Sequence, residues 1–233
     1  MSPPLAIPVA DGMVAAEHAR PRRDAGAWDR PARRSWRARL MAAEWRARDV
    51  TIGAALLVAT LPISLVAMCL IKLESPGPVF YRQLRTGLHG RPFTVLKFRS
   101  MRQDAESGGP CWAAVRDQRV TRIGAYLRAT RIDELPQLLN VLRGEMSLIG
   151  PRPERPHFVA ELAEIIPDYT RRTEILPGIT GWAQVNHPYG ASVEDARAKL
   201  AYDLYYLRHR GRLLDLRILL ATVRVVVLRI GAR

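Results

Sequence analysis

The chain has 233 residues, 48% hydrophobic and 25% charged, and its 36 Lys and Arg against 22 Asp and Glu give a formal net charge of +14. That apolar content excludes a wholly disordered chain, and only two cysteines, Cys69 and Cys111, exclude a disulfide scaffold. A pI near 10.9 points to an anionic partner: nucleic acid, an anionic membrane surface and a phosphorylated substrate all satisfy it.

The first 48 residues carry ten arginines against five acids, five prolines and few large aliphatics before Leu40. Residues 1 to about 35 read as a disordered basic tail, and no apolar stretch makes them a secretory signal. Residues 36–49 form a basic juxtamembrane segment, where a helix bearing Trp36, Leu40 and Trp45 at a membrane surface and a solvated arm fit equally.

From Ile52 to Ile71 the chain runs 20 residues without a charge. At 1.5 Å per residue that is about 30 Å of helix, the thickness of a hydrocarbon core. Pro62 sits in the middle, where a proline removes a backbone hydrogen bond and kinks a helix. Both flanks are basic, with Arg46 and Arg48 before and Lys72, Arg82 and Arg85 after, so charge gives no direction of crossing. A kinked span and a helix that bends at Pro62 and returns are both open for residues 50–73.

Residues 74–233 are polar enough to form a soluble domain. Ser75–Pro78 is a turn, and Pro78–Gln83 and Phe93–Phe98 are expected strands joined as a hairpin across Gly87 and Gly90. Leu135, Leu138, Leu139 and Leu142 have helical spacing and predict a helix over Ile132–Leu142. Another is expected over Val193–Arg210, braced by Asp195 and Lys199. The stretch Leu213–Ile230 mixes Leu, Ile and Val with Arg217, Arg224 and Arg229, which suits either an interfacial helix with snorkelling arginines or a core helix.

No dinucleotide loop, P-loop, zinc spacing or nucleophile elbow occurs. Three basic clusters do: Lys97 and Arg99 in KFRSM, Arg119 to Arg131 before Asp133 and Glu134, and Arg152 and Arg155 among three prolines in GPRPERP. Proline-fixed guanidiniums match phosphate oxygens at low entropic cost. A solvated basic face is the plainer account of any one cluster.

Pro136 belongs to the first turn of the expected helix, which puts Asp133 at or near its N-cap. Asp133 then caps and Glu134 favours the helix dipole. Alternatively, the two carboxylates bind a divalent ion and attack a phosphoryl group. Arginines about 4 Å away are worth about 4 kcal/mol at an effective dielectric of 20, which keeps an aspartate ionised and nucleophilic.

Four stretches, IKLESPGPVFYRQLRTG, VLKFRSM, RIDELPQLLNVLRGEMSLIGPRPERP and LPGITGWAQVN, occur in this order. Together they resemble the bacterial sugar transferase family, the monotopic phosphoglycosyl transferases that begin exopolysaccharide and O-antigen assembly. The resemblance runs from about Arg46 to the C-terminus, roughly four-fifths of the chain.

The resemblance implies an α+β fold: a re-entrant membrane helix and interfacial amphipathic helices carrying a small cytoplasmic catalytic domain with a short hairpin. It implies transfer of a sugar 1-phosphate from a UDP-sugar to polyprenyl (undecaprenyl) phosphate, with release of UMP and a requirement for Mg²⁺. Asp133 matches the family's nucleophile, which carries the phosphosugar covalently, and Glu134 its metal-associated neighbour. Lys97, Arg128 and Arg152 match basic positions near the phosphates or nucleotide. Arg99, Arg131 and Arg155 join them as candidate substrate contacts.

The expected setting is the cytoplasmic face of a bacterial inner membrane. Membrane lipid is a partner, nucleic acid is not, and homodimerisation is open. The family's re-entrant helix breaks near a Ser-Pro pair. In this chain Leu61 precedes Pro62, so the break is expected to rest on proline alone. The larger members carry extra N-terminal membrane helices, so this chain resembles the small ones. The competing reading is a membrane-tethered basic binding protein without catalysis, which leaves Asp133, Glu134 and GITGWAQVN without a role.

Overall fold

The computed structural model describes residues 36–105, 117–187, 190 and 192–228. The expected basic tail lies outside them. The chain divides into two compact units, Met1–Ala47 and Arg48–Arg233. Of the first unit, the described part is the opening of a helix. The second is an α+β assembly and holds the site described below.

Helix α1 (Trp36–Ala59) and helix α2 (Leu61–Glu74) meet at Thr60. No single helix among the described residues is long and apolar enough to cross a membrane, but these two meet the test together, bent by 57°. Pro62 stands in the first turn of α2, where its missing N–H is harmless and its ring stops α1 from continuing. The break does not rest on proline alone. The Thr60 hydroxyl donates to the Leu56 carbonyl at 2.7 Å, a back-bond that itself bends helices. A hydroxyl therefore does accompany the proline, two positions before it.

Arg48 and Asp49 fasten the part of α1 that belongs to the second unit within that unit. Asp49 is 2% exposed and accepts the Leu148 amide at 3.2 Å. Arg48 pairs with Asp215 at 2.5 Å, and the Tyr206 hydroxyl donates to the same carboxylate at 2.7 Å. Helix α2 buries Ala67 and Ile71 against Phe98 and Leu127. Its Leu61, Ile63, Leu65, Val66, Leu70 and Leu73 stay exposed.

The expected hairpin is present as antiparallel strands β1 (Phe80–Thr86) and β2 (Pro92–Phe98), running from Phe80 opposite Phe98 to Thr86 opposite Pro92. Its turn places His89 (φ 53°) and Gly90 (φ 75°) at positive φ, which only Gly90 adopts without steric cost. Helix α3 (Arg122–Ala129) follows, then a single 3₁₀ turn (Ile132–Glu134) and helix α4 (Gln137–Arg143). The expected continuous helix over Ile132–Leu142 is thus two elements, because Pro136 serves as the N-cap of α4 and ends the turn before it.

A parallel pair that periodicity did not show joins β3 (Ser147–Ile149) to β4 (Gly178–Thr180). The two backbones lie so close that a Cβ on Gly178 would meet the Gly150 amide nitrogen at 2.1 Å. The remaining helices are α5 (Pro156–Ile165), α6 (Trp182–Asn186), α7 (Val193–His209) and α8 (Arg212–Val227). Helix α7 covers its expected span to within one residue and opens with a capping box between Ser192 and Asp195, while Lys199, expected to pair with Asp195, donates to the Gly190 carbonyl at 2.7 Å.

The main core gathers Val95 from β2, Leu138 and Val141 from α4, Leu148 and Ile149 from β3, Tyr206 from α7 and Ile218 from α8. Within it Asn140, fully buried, accepts the Leu96 amide at 3.0 Å and donates to the Thr94 carbonyl at 2.8 Å. This side chain fixes β2 one residue before Lys97.

Candidate active site

The acid pair sits on the 3₁₀ turn. Arg131 enters it in the left-handed region at φ 59°, a conformation that costs a non-glycine residue about 1 kcal/mol or more. Its carbonyl accepts the Glu134 amide at 3.2 Å, and Ile132 accepts Leu135 at 3.1 Å. Asp133 and Glu134 are 7% and 8% exposed.

This geometry removes the capping account of Asp133. The helix begins beyond Pro136, and α4 has no side-chain cap. Among the described residues neither oxygen of Asp133 accepts a hydrogen bond.

The two acids differ sharply. Glu134 Oε1 accepts Lys97 Nζ at 2.8 Å and Arg152 Nη2 at 2.5 Å. Burial pushes the Glu134 carboxyl up, but Arg152 and Lys97 outweigh it and hold it well below the usual carboxylate range. Arg152 is raised in return by Glu134. Lys97 is lowered by burial, a drop that Glu134 limits.

Asp133 moves the other way, from 3.8 to about 6, through burial first and the neighbouring Glu134 charge second. Lys97, Arg152 and Arg128 oppose that rise. One acid is therefore locked as an anion, while its neighbour stays uncommitted in the same cation field.

Lys97 and Arg152 thus come together with the acid pair, and Arg128 on α3 lies within electrostatic reach of Asp133. Arg99 does not join them. Its guanidinium donates to the Ser75 and Pro76 carbonyls and to the Ser75 hydroxyl at 2.8 to 2.9 Å, fastening the turn after α2 to the end of β2. Arg131 shapes the turn through its backbone. Arg155 is the N-cap of α5 and lies near Arg85, whose pKa burial and then Arg152 and Arg155 lower against the pull of Glu154.

Magnesium takes one or two carboxylates and completes its shell with water and substrate phosphates. Asp133 and Glu134 fit that demand, because both Asp133 oxygens and Glu134 Oε2 accept no protein hydrogen bond among the described residues. Among the same residues no group of three or more His, Cys, Asp or Glu gathers to hold an ion by itself.

Sequence reasoning missed Arg85, Asn140, Arg172 and Asp203, which surround the site without touching the acids. Arg172 in YTRRTE looks like part of a solvated loop, yet it is 7% exposed and pairs with Asp203 at 2.8 Å. No local pattern announces a pair 31 residues apart.

An α+β unit here sets a buried acid pair among lysine and arginine side chains, an arrangement that suits anionic groups. The chain belongs to the bacterial sugar transferase family, whose pattern matches residues 41–229. It is 49% identical over 172 residues to UDP-N-acetylgalactosamine-undecaprenyl-phosphate N-acetylgalactosaminephosphotransferase of Aeromonas hydrophila, covering 74% of this chain and 41% of that protein. It is 46% identical over 180 residues to UDP-glucose:undecaprenyl-phosphate glucose-1-phosphate transferase of Caulobacter vibrioides, covering 76% and 67%. The uncharacterized sugar transferase EpsL of Bacillus subtilis is 42% identical over 187 residues, covering 78% and 87%. The match thus spans less than half of the Aeromonas protein and about two thirds of the Caulobacter one.

Proposed function

We propose that this chain transfers a sugar 1-phosphate from a UDP-sugar to polyprenyl phosphate, releasing UMP, with Asp133 as the nucleophile. The observation that carries the reading is the asymmetry of the acid pair. Glu134 is held by two cations, whereas among the described residues neither oxygen of Asp133 accepts a hydrogen bond. Family membership and the activities in the relatives' names support the substrate class.

The ionised Asp133 carboxylate attacks the sugar-bearing phosphorus of the diphosphate. The bond to the bridging oxygen breaks, and UMP departs with that oxygen and its electron pair. An oxygen of the lipid phosphate then attacks the same phosphorus. The bond to Asp133 breaks and the carboxylate is restored. Lys97, Arg128 and Arg152 place positive charge where the transferring group gathers negative charge. Bound by Asp133 and Glu134 together with substrate phosphates, Mg²⁺ would add Lewis-acid stabilisation to that charge.

The bent pair of α1 and α2 fits a re-entrant helix over residues 50–73, with 36–49 at the headgroups and 74–233 on the cytoplasmic side. The exposed leucines and valines of α2 and α8 suit a lipid contact. A lipid phosphate lies at the headgroup plane, so an enzyme resting on the inner membrane reaches it without crossing.

The test is UMP release from a panel of UDP-sugars with detergent-dispersed undecaprenyl phosphate and Mg²⁺. Without the lipid, intact mass should rise by one sugar phosphate, and peptide mapping should place the adduct on Asp133. An adduct elsewhere, or no UMP with any donor, overturns the assignment.

A further inference from the structure

Four consecutive carbonyls, Pro151 to Glu154, are each occupied. Pro151 accepts the Gly178 amide at 2.9 Å and Glu154 accepts from the Thr86 amide at 2.8 Å. Between them, Arg152 accepts Arg172 Nη2 at 3.1 Å and Pro153 accepts Arg85 Nη1 at 3.1 Å. Two of the four donors are thus arginine side chains, and prolines fix φ on both sides of Arg152.

Arg172 is the more deeply set of the two. Its Nε and Nη2 lie 3.0 and 2.8 Å from Asp203 Oδ2, and its Nη1 donates to the Tyr169 hydroxyl at 2.9 Å. Asp203 is 1% exposed in the body of α7. A buried ion pair is poor evidence of stabilisation, since apolar side chains of similar size often serve a fold as well. What apolar side chains cannot do is donate a hydrogen bond to the Arg152 carbonyl.

We propose that Arg172 is a positioning residue for Arg152: anchored by Asp203, it fixes the Arg152 carbonyl and so holds the Arg152 guanidinium against Glu134 and the donor phosphates. The chain of contacts runs from α7 through Asp203 and Arg172 to the Arg152 backbone, and from the Arg152 side chain to the acid pair. Arg172 contacts neither acid. Arg85 secures the next carbonyl in the same way. A guanidinium fixed before substrate arrives loses little entropy on binding, and small displacements of such a group are costly in rate.

This inference rests on the phosphoryl-transfer reading of the site, and its test separates the two. Arg172→Met/Asp203→Leu removes the ion pair together, leaving no unpaired buried charge. In the full chain, with Tm within a few degrees of wild type, kcat for UMP release should fall tenfold or more. In an Arg152→Ala background the same double substitution should change kcat less than twofold, because the group being positioned is gone. A purely structural role predicts the same loss in both backgrounds, and that result overturns the proposal, as does wild-type turnover in the double variant.

If the double variant does not fold, Arg172→Lys takes its place. It keeps the charge beside Asp203, but one amine cannot span Asp203, the Tyr169 hydroxyl and the Arg152 carbonyl. The same loss and the same dependence on Arg152 are expected, and full activity overturns the proposal. Calorimetric titration of UDP reads the positioning without turnover. Binding should weaken about tenfold in the wild-type background and under twofold beside Arg152→Ala, and equal weakening overturns it. Should wild type bind UDP in this pattern yet release no UMP from any donor, the transfer reading fails and the positioning stands.

Discussion

Both oxygens of the Glu74 carboxylate accept the amide of Ile123, at 3.0 and 3.2 Å. Glu74 is the last residue of α2, and Ile123 lies in the first turn of α3, which carries Arg128. Thr121 caps the same end by accepting the Gly124 amide at 2.9 Å. The most apolar of the described helices therefore ends in a negative charge set on the positive end of the helix beside the acid pair.

Glu74→Ala removes an amide acceptor and a favourable charge from α3. The expected loss is about 1 kcal/mol, or a Tm lower by roughly 2–4 °C for a domain of this size. Glu74→Gln should lose less, because its amide oxygen still accepts. Thermal unfolding in detergent checks both, and an unchanged Tm for the alanine variant would remove Glu74 from the cap.

Asp133→Asn separates chemistry from stability. The folded-state pKa of Asp133 is raised from 3.8 to about 6, so at neutral pH its charge opposes folding. That displacement corresponds to up to about 3 kcal/mol. The asparagine variant should lose turnover and the covalent adduct, yet unfold at the same temperature as wild type or higher. A lowered Tm would contradict the cost assigned to the buried charge.

The same shift sets a pH profile. Below about pH 6 Asp133 takes up a proton, and kcat/KM should fall about tenfold per pH unit. Stability runs in the opposite sense for this group: a raised carboxylate pKa means the folded state binds the proton more tightly, so its contribution grows as pH falls through about 6. Glu134, held well below the usual range, stays ionised throughout that window. A kcat/KM profile flat from pH 5 to 8 would remove the ionised aspartate from the rate-determining chemistry.

Topology is testable at Thr60 and Pro62. In a chain with Cys69 and Cys111 replaced by serine, single cysteines introduced near Arg46 and Arg82 should react from the same side of the membrane. Labelling from opposite sides refutes re-entry. Pro62→Ala leaves the Thr60 back-bond in place, so the paired Thr60→Val/Pro62→Ala change is expected to straighten the helix more than either change alone.

Local pattern carried the hairpin, α4 and α7, because alternation and the i, i+3, i+4 spacing of leucines are short-range signals. The acid pair was legible only as a motif. Its turn was not, since Pro136 fits the first turn of a helix as well as it fits the cap that starts one. Grouping Arg99 with Lys97 failed because β2 ends at Phe98, so the alternation that would put both on one face stops between them. Arg172 and Asp203 were illegible because a charge in a polar loop looks the same whether it meets water or a buried partner.

Leu213, Leu216, Leu220, Val223 and Val227 follow one another at steps of three and four along α8, and each is more than half exposed. The opposite side of that helix already buries Asp215 and Ile218. The folded unit is therefore an amphiphile. In plain buffer it should self-associate in a concentration-dependent way that reflects neither misfolding nor a specific dimer. Adding a mild detergent above its micelle concentration should return it to a single species without altering its helix content.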